Sequence, residues 1–152
     1  EPQLFHPGDL DYIHSVERIS KFSNVISING GVQLDLMGQE NAESTGTRQL
    51  SGVGGQMDFL EGAYRSKGGK GFICINSSRV TKDGERKSNI LATIPGGSTI
   101  SAPRTMIQYV ATEYGIASLS GKTLRERAEA MASIAHPDFR EELMKYAQEN
   151  FK

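Results

Sequence analysis

The stretch Ser51-Gly52-Val53-Gly54-Gly55-Gln56-Met57-Asp58-Phe59 places three glycines within four positions and runs directly into apolar residues with helical spacing. Glycine adopts positive φ at little steric cost and lets a ligand come close to the backbone. A loop of this kind before a helix directs N–H groups and the positive end of the helix dipole at one point. The pattern indicates a site for a phosphate, a carboxylate or a developing oxyanion, with a tight turn as the alternative.

The residues on both sides of this loop predict strands and helices in alternation. Apolar runs rich in β-branched residues predict strands, and apolar residues at helical spacing predict a short helix just after the loop. The predicted elements are strands at residues 25–29, 32–36, 72–75, 90–94 and 107–112, and a helix at residues 58–66. Gly30-Gly31 predicts a hairpin between the first two strands, and Asp83-Gly84 predicts a further turn.

The last third of the chain predicts two helices. Thr123 and Glu126 have the spacing of a capping box, and Pro137 suits the first position of the second helix. His136 directly precedes Pro137, so we expect it to cap or pack at the junction rather than to catalyse. Two ion pairs are predicted, each between residues one helical turn apart, namely Arg125 with Glu129 and Glu141 with Lys145.

Together these elements predict the fold class and the domain organisation. Strands first, with helices between them and concentrated near the C-terminus, predict an α/β domain whose open sheet is layered with helices. Residues 1–22 carry the least pattern, so we expect an entry segment or linker remnant there. Residues 23–152 are expected to form the domain.

Composition excludes several classes of function. The chain has 152 residues and a formal net charge of −1, so we expect no bulk attraction to nucleic acid or to an anionic membrane. No apolar run reaches the ~18 residues of a membrane span, and no signal-peptide pattern opens the chain. The chain begins with Glu1 rather than Met, which indicates a processed or excised piece.

The single cysteine bears on the compartment, and the histidines bear on metal binding. Cys74 rules out an internal disulfide and fits a reducing compartment, so we expect a cytoplasmic protein. It lies in a predicted strand, where a packed and inert thiol is expected. His6 and His14 are far from any partner motif, and no cluster has the spacing of zinc ligands, so no metal site is expected.

Several separated segments carry a resemblance to a known family. They are Asp35-Leu36-Met37-Gly38-Gln39-Glu40-Asn41-Ala42-Glu43-Ser44, Gly46-Thr47-Arg48-Gln49-Leu50 with the glycine loop, Ser66-Lys67-Gly68-Gly69-Lys70, Thr112-Glu113-Tyr114-Gly115-Ile116-Ala117, Leu124-Arg125-Glu126-Arg127-Ala128 and Ile134-Ala135-His136-Pro137-Asp138-Phe139-Arg140. In these segments the chain strongly resembles the C-terminal domain of the acetyl-CoA hydrolase/transferase family, which includes 4-hydroxybutyrate, butyrate and succinate:acetate CoA-transferases. The resemblance runs from about residue 23 to about residue 147.

The resemblance implies two related open α/β halves with the active site in the cleft between them, this chain being the second half. It implies that coenzyme A is exchanged between an acyl-CoA and a small carboxylate by a glutamate that attacks the thioester. In the family this glutamate lies in a Gly-x-His-Thr-Glu-like segment upstream of the matched domain, and no such segment occurs in these 152 residues. We therefore expect the chain alone to be inactive and to need a missing N-terminal half.

Other consequences follow from the same resemblance. Coenzyme A is expected as a substrate, with no tightly bound cofactor. An isolated half is expected to expose an apolar cleft face, which would favour a homo-oligomer. An acyl-CoA hydrolase, or a non-catalytic module that binds CoA or another anion, remains the alternative.

By resemblance, the glycine loop lines the thioester site. Gly54 and Gly55 are expected to supply backbone N–H groups to the oxyanion, with Gly52 and Val53 beside them at the CoA site. Gln56 is expected to hydrogen-bond the pantetheine amides or the acyl group.

Charged residues outside the loop are candidates for the rest of the substrate. Lys82 matches a family lysine, and it is expected to meet the CoA phosphates together with Lys67, Lys70 and Arg79, the alternative being a solvated basic face. Glu113 ends a predicted strand, so it is expected either near the substrate or in a structural hydrogen bond, and Glu43 carries the same ambiguity. The chain departs from the family pattern at Asn76-Ser77-Ser78-Arg79, at Ser88-Asn89 and at Gln108, positions that bear on phosphate contacts and acyl specificity.

Overall fold

The structure, a computed structural model, describes Leu4 and residues 7–151. His6, considered above for metal binding, lies outside the described residues. In chain order the elements are α1 Leu10–Ile13, α2 Val16–Lys21, β1 Ile26–Gly30, β2 Gln33–Asp35, β3 Glu40–Asn41, β4 Ser44–Thr45, β5 Arg48–Gln49, α3 Gln56–Arg65, β6 Lys70–Cys74, β7 Ser78–Val80, β8 Arg86–Ser88, β9 Ile90–Leu91, β10 Tyr109–Thr112, β11 Gly115–Ser118, α4 Leu124–Ser133 and α5 Pro137–Asn150.

The main sheet has four strands in the order β1-β6-β10-β11. β1, β6 and β10 run parallel, and β11 returns antiparallel to β10. The carboxyl ends of the three parallel strands, at Gly30, Cys74 and Thr112, therefore lie along one edge, which we call the carboxyl edge. Helix α3 directly precedes β6 in the chain. The C-terminal end of α3 lies at the opposite edge, where the Ser66 Oγ accepts the Val25 N–H at 3.2 Å.

The two faces of this sheet differ in burial. On one face, Ile73 and Val110 are fully buried and pack with Leu60 of α3 and Met131 of α4 in the core. On the other face, Ile28 keeps 69% of its surface exposed, and the ring of Phe72 stacks on Tyr109 at 4.9 Å. Sheets with parallel strands are normally covered on both faces. This face, which we call the open face, is instead an apolar surface without a covering layer in the described part of the chain.

A second, smaller sheet has the order β3-β2-β9. The buried Arg127 of α4 fixes the loops around it by donating to three backbone carbonyls, those of Met37 at 2.8 Å, Leu119 at 2.8 Å and Arg104 at 2.7 Å. Burial lowers the pKa of this guanidinium, and the three carbonyl bonds offset part of that desolvation cost while they link distant segments. The second sheet is thereby held against the helical layer.

The open, helix-layered α/β fold predicted from the sequence is confirmed, but the predicted hairpin at Gly30-Gly31 is wrong. β1 pairs with β6, whereas β2 pairs with β3 and β9 in the second sheet. Gly30-Gly31 therefore carries the chain from one sheet to the other. The predicted turn at Asp83-Gly84 is confirmed, since it joins β7 and β8 as an antiparallel pair.

The helix predictions for the last third are mostly confirmed. The Thr123–Glu126 capping box is present, and His136 caps α5 by accepting the Asp138 N–H at its Nδ1. Arg125 pairs with Glu129, but Lys145 lies 4.0 Å from Glu149 instead of pairing with Glu141. Cys74 is only partly buried, because it lies on the open face. Among the described residues, no helix has the length and apolar character needed to cross a bilayer.

Candidate functional site

The glycine loop, residues 51–55, leads into α3 at the carboxyl edge. Residues 51–54 are exposed, and Gly54 has a φ of +60°. Gly55 is the N-cap of α3 and makes no side-chain cap. Because the first N–H groups of a helix have no partner within the helix, they are free to bind an anion. Gly52, Val53, Gly54 and Gly55 all lie in this loop, directly before the first turn of α3, and their roles at a CoA and oxyanion site stay predictions.

His14 covers one side of this loop. Its ring packs edge-on against Phe59 at 5.0 Å, and its Nδ1 lies 3.7 Å from Asp58. A Cβ on Gly55 would collide with the His14 ring. Gly55 is therefore required by packing as well as by access to the backbone, whereas a Cβ on Gly54 would meet open space.

Both ends of the glycine loop are tied to the short segment 40–43. The Glu43 carbonyl accepts the Leu50 N–H at 2.6 Å and the Ser51 N–H at 3.2 Å. At the other end, the Gln56 side-chain amide donates to the Glu40 carboxyl group. Gln56 is buried and its amide nitrogen is bonded to Glu40, so the contact with pantetheine that was predicted from the sequence is left to the rest of its amide group.

Glu40 is a residue that the sequence analysis passed over. Its side chain is fully buried, and its Oε1 has no hydrogen-bond partner within the described structure. Burial raises the pKa of Glu40 to about 8, opposed by the hydrogen bond from Gln56 and reinforced by the negative charge of Glu43. A carboxyl group at this depth is neutral at pH 7. Nothing in its local sequence distinguishes it from the exposed glutamates.

An open cleft of about 430 Å³ lies at the carboxyl edge. It is lined by residues at the ends of the three parallel strands, Gly31, Cys74, Ile75, Asn76, Ala111 and Thr112. In open α/β sheets, ligands bind beyond the carboxyl ends of the strands. Gly31 lines this cleft and also lies next to Glu40, since a Cβ on Gly31 would be 2.7 Å from the Glu40 Oε1. Glu40 in turn holds the end of the glycine loop through Gln56.

Glu113 lies at the same edge and makes the structural hydrogen bonds that were one of its two predicted roles. Its carboxylate accepts the Ser77 N–H at 2.9 Å and the Ser77 Oγ–H at 2.6 Å. Desolvation acts to raise its pKa, but the bonds from Ser77 and the positive field of His136 together hold the pKa of Glu113 below its ordinary value. Glu113 therefore braces the segment after β6 that forms one wall of the cleft.

The other carboxylate with an open prediction, Glu43, accepts the Ser101 Oγ–H at 2.6 Å. Together with its carbonyl bonds to Leu50 and Ser51, this gives Glu43 a structural part in holding the loop.

The four basic candidates do not form one cluster. Lys70 begins β6 opposite Ile26, and the Lys67 carbonyl accepts the Asn24 N–H, so both lie at the edge opposite the glycine loop. The ten residues of α3, about 15 Å of helix, separate that edge from the loop. Arg79 and Lys82 instead belong to the β7–β8 hairpin, which follows the carboxyl end of β6.

Within residues 7–151, no group of three or more His, Cys, Asp and Glu side chains has the arrangement of a metal site.

Comparison with known proteins gives the family. Residues 3–147 match the model of the acetyl-CoA hydrolase/transferase C-terminal domain. The chain is 47% identical to the butyryl-CoA:acetate CoA-transferase of Anaerostipes caccae and 48% identical to the 4-hydroxybutyrate coenzyme A transferase of Clostridium kluyveri, covering 91% and 93% of this chain. It spans 31% and 32% of the lengths of those relatives.

A solved structure agrees with the sequence matches. RipA from Yersinia pestis superimposes with a TM-score of 0.80 at 40% identity, covering 91% of this chain and 30% of that one. The chain therefore belongs to the acetyl-CoA hydrolase/transferase family, of which it carries the C-terminal domain.

Proposed function

We propose that this chain is the C-terminal half of an acyl-CoA:carboxylate CoA-transferase and that its glycine loop stabilises the thioester oxyanion. The observation that supports this most is the position of Gly54 and Gly55. They precede the N-terminus of α3 at the carboxyl edge, in a loop anchored at both ends. Donors held in place in this way need no reorganisation when charge develops on a carbonyl oxygen.

The first half of the proposed reaction has two additions to a carbonyl carbon. A glutamate of the upstream half attacks the acyl-CoA, and the CoA thiolate leaves to give an acyl-glutamyl anhydride. The thiolate then attacks the glutamyl carbonyl, which releases the carboxylate product and leaves a glutamyl-CoA thioester. The acceptor carboxylate reverses these steps and leaves as its CoA ester. Each addition creates an oxyanion that the loop N–H groups would bind.

The remainder of CoA would extend from the cleft toward the β7–β8 hairpin. We assign the phosphates to Lys82, with Arg79 on the adjacent strand, because this hairpin follows the strand end that lines the cleft. Lys67 and Lys70 are left out of the same contact, since they lie at the opposite edge of the sheet.

The upstream half of the protein is the proposed partner. The chain spans about a third of the length of the curated relatives that it matches, and the nucleophilic glutamate would come from the rest of the sequence. The open face of the main sheet offers an apolar surface for that remainder. We therefore expect the 152 residues alone to be inactive.

Whether the intact enzyme transfers CoA or hydrolyses the thioester depends on how well the joined halves exclude water.

The test is Gly54→Val in the full-length protein, assayed for CoA exchange between butyryl-CoA and acetate. Valine does not adopt a φ near +60° without strain, so this variant would displace the N–H groups of the loop. Loss of one oxyanion donor costs about 10²–10³-fold in kcat, so we expect a loss of at least this size. The matched control is Gly121→Val, because Gly121 also has positive φ, +72°, and open space around it but lies outside the site. Equal activity of the two variants would refute the assignment, and no exchange by the parent would favour the hydrolase or the non-catalytic module.

A further inference from the structure

Glu40 is buried where the main sheet, the second sheet and α3 meet. Its Oε2 accepts the amide of Gln56, and its Oε1 lies against the Cα of Gly31 with no hydrogen bond in the described structure. A buried carboxyl oxygen without a partner is unfavourable. Because burying this carboxyl group costs free energy of folding, we looked for a role of Glu40 beyond packing.

The position of Glu40 in the chain gives it control of the glycine loop. Residues 40–43 hold the start of the loop through the Glu43 carbonyl and its end through the Glu40 side chain. Backbone bonds in turn fix Glu40, whose N–H donates to the Ala102 carbonyl at 3.0 Å and whose carbonyl accepts the Ser101 N–H at 2.8 Å. Both ends of the glycine loop are therefore hydrogen-bonded to the same segment, residues 40–43, which is itself fixed by backbone hydrogen bonds.

We infer that Glu40 is a positioning residue for the glycine loop, that it acts through Gln56 at the N-terminus of α3, and that it makes the loop open more readily as the pH rises toward 8. The effect of Glu40 on catalysis rests on the proposed function. Its effect on the geometry of the loop does not.

The surroundings of Glu40 explain why its charge matters. Glu40 lies opposite Leu34 across β2 and β3, its carboxyl group accepts the Gln56 amide, and it shares the space beside Gly31 with the Ile73 and Ile75 methyl groups. The charged neighbour whose field reaches it is Glu43, and that field is repulsive. An ionised Glu40 would therefore be uncompensated, and it would compete with the substrate oxyanion for the positive end of α3.

Linkage gives the size of the effect on the loop. Because burial raises the pKa of Glu40 to about 8 from an ordinary 4.5, openings that expose it become about tenfold more favourable per pH unit over that range. The equilibrium constant for opening no longer changes above pH 8, because Glu40 then also ionises while the loop is in place. The neutral acid is thus the form that holds the loop.

The experiment compares three variants of the full-length protein by hydrogen exchange of the Leu50, Ser51 and Phe59 amides, whose hydrogen bonds hold the two ends of the loop, corrected for intrinsic rates. Glu40→Gln keeps a neutral acceptor for Gln56 and cannot ionise, whereas Glu40→Leu removes both. Glu17→Gln is the matched control, because the Glu17 side chain is 83% exposed on α2. We expect protection to fall about tenfold per pH unit from pH 6 to pH 8 in the parent and in Glu17→Gln, to stay constant in Glu40→Gln, and to be low at every pH in Glu40→Leu.

A parallel assay follows exchange between butyryl-CoA and acetate. The parent should lose kcat/KM above about pH 8, and Glu40→Gln should lack this part of the pH profile. Equal pH dependence of protection in the parent and Glu40→Gln, or unchanged protection in Glu40→Leu, would overturn the inference. If the parent shows no exchange of CoA at any pH, the proposed function fails, and the protection data still decide the role of Glu40.

Discussion

Gly31 shows how one missing side chain shapes the site. A Cβ there would lie 2.7 Å from the Glu40 Oε1, 3.0 Å from the Ile75 Cγ2 and 3.2 Å from the Ile73 Cγ2. The sequence predicted only a turn at Gly30-Gly31, because the reason for the glycine is a contact with a carboxyl group nine residues away. No local pattern carries that information.

At this scale we predict that Gly31→Ala lowers stability by about 1–3 kcal/mol, since the new methyl group has no space. In a Glu40→Ala background the cost should shrink, because the truncated side chain leaves room, giving a coupling of at least ~0.5 kcal/mol. Native-state hydrogen exchange of β6 in the full-length protein measures both effects. Gly30→Ala is the control, because a Cβ at Gly30 meets nothing within 4 Å. Equal costs in both backgrounds would show that Glu40 does not occupy this space.

At the scale of elements, most signals that span a few residues were predictive, the pair Glu141–Lys145 being an exception, and signals that span the fold were not. The capping box of Thr123 with Glu126, Pro137 at the start of α5 and the turn at Asp83-Gly84 were all predicted correctly. Each is decided by hydrogen bonds within one turn of chain. The partners of β1 and β2 were not predicted, because strand pairing depends on which distant strand completes the sheet.

The helix α4 provides a direct test of such a local signal. The Thr123 Oγ1 accepts the Glu126 N–H, and the Glu126 carboxylate accepts the Thr123 N–H at 2.7 Å. We predict that Thr123→Ala lowers the free energy of opening of α4 by about 1 kcal/mol, measured by hydrogen exchange in residues 124–133. Ser120→Ala, three residues earlier in the preceding loop, should leave it unchanged. If the two variants behave alike, the cap does not stabilise this helix.

At the scale of the whole molecule, the structure brings together only some of the residues predicted for the site. The glycine loop leads into α3 at the carboxyl edge, as its sequence predicted. The basic residues predicted to meet CoA, in contrast, are divided between the two ends of the strands. The prediction grouped them because they are close in sequence, whereas a strand of five residues carries Lys70 and the β7–β8 hairpin to opposite ends. The open face of the sheet was expected only as an apolar cleft face, since sequence periodicity does not tell which face a helix will cover.

We predict that the remainder of the protein covers this open face. Ile28→Asp in the full-length protein should then lower Tm by several degrees, because it would bury an unpaired carboxylate. Val80→Asp is the matched control, since Val80 is 60% exposed on the β7–β8 hairpin, away from the open face. Equal Tm values for Ile28→Asp and the parent would mean that the face stays in contact with solvent.

The central claim is that this chain supplies the oxyanion donor for a glutamate that lies outside it. The most direct test is mass spectrometry of the full-length protein mixed with butyryl-CoA, which follows the covalent CoA adduct over time and locates it by peptide mapping. The account predicts an adduct on a glutamate outside the 152 residues, forming about 10²-fold or more slowly in Gly54→Val than in the parent. An adduct on a residue within this chain, or one that forms equally fast in Gly54→Val, would contradict it.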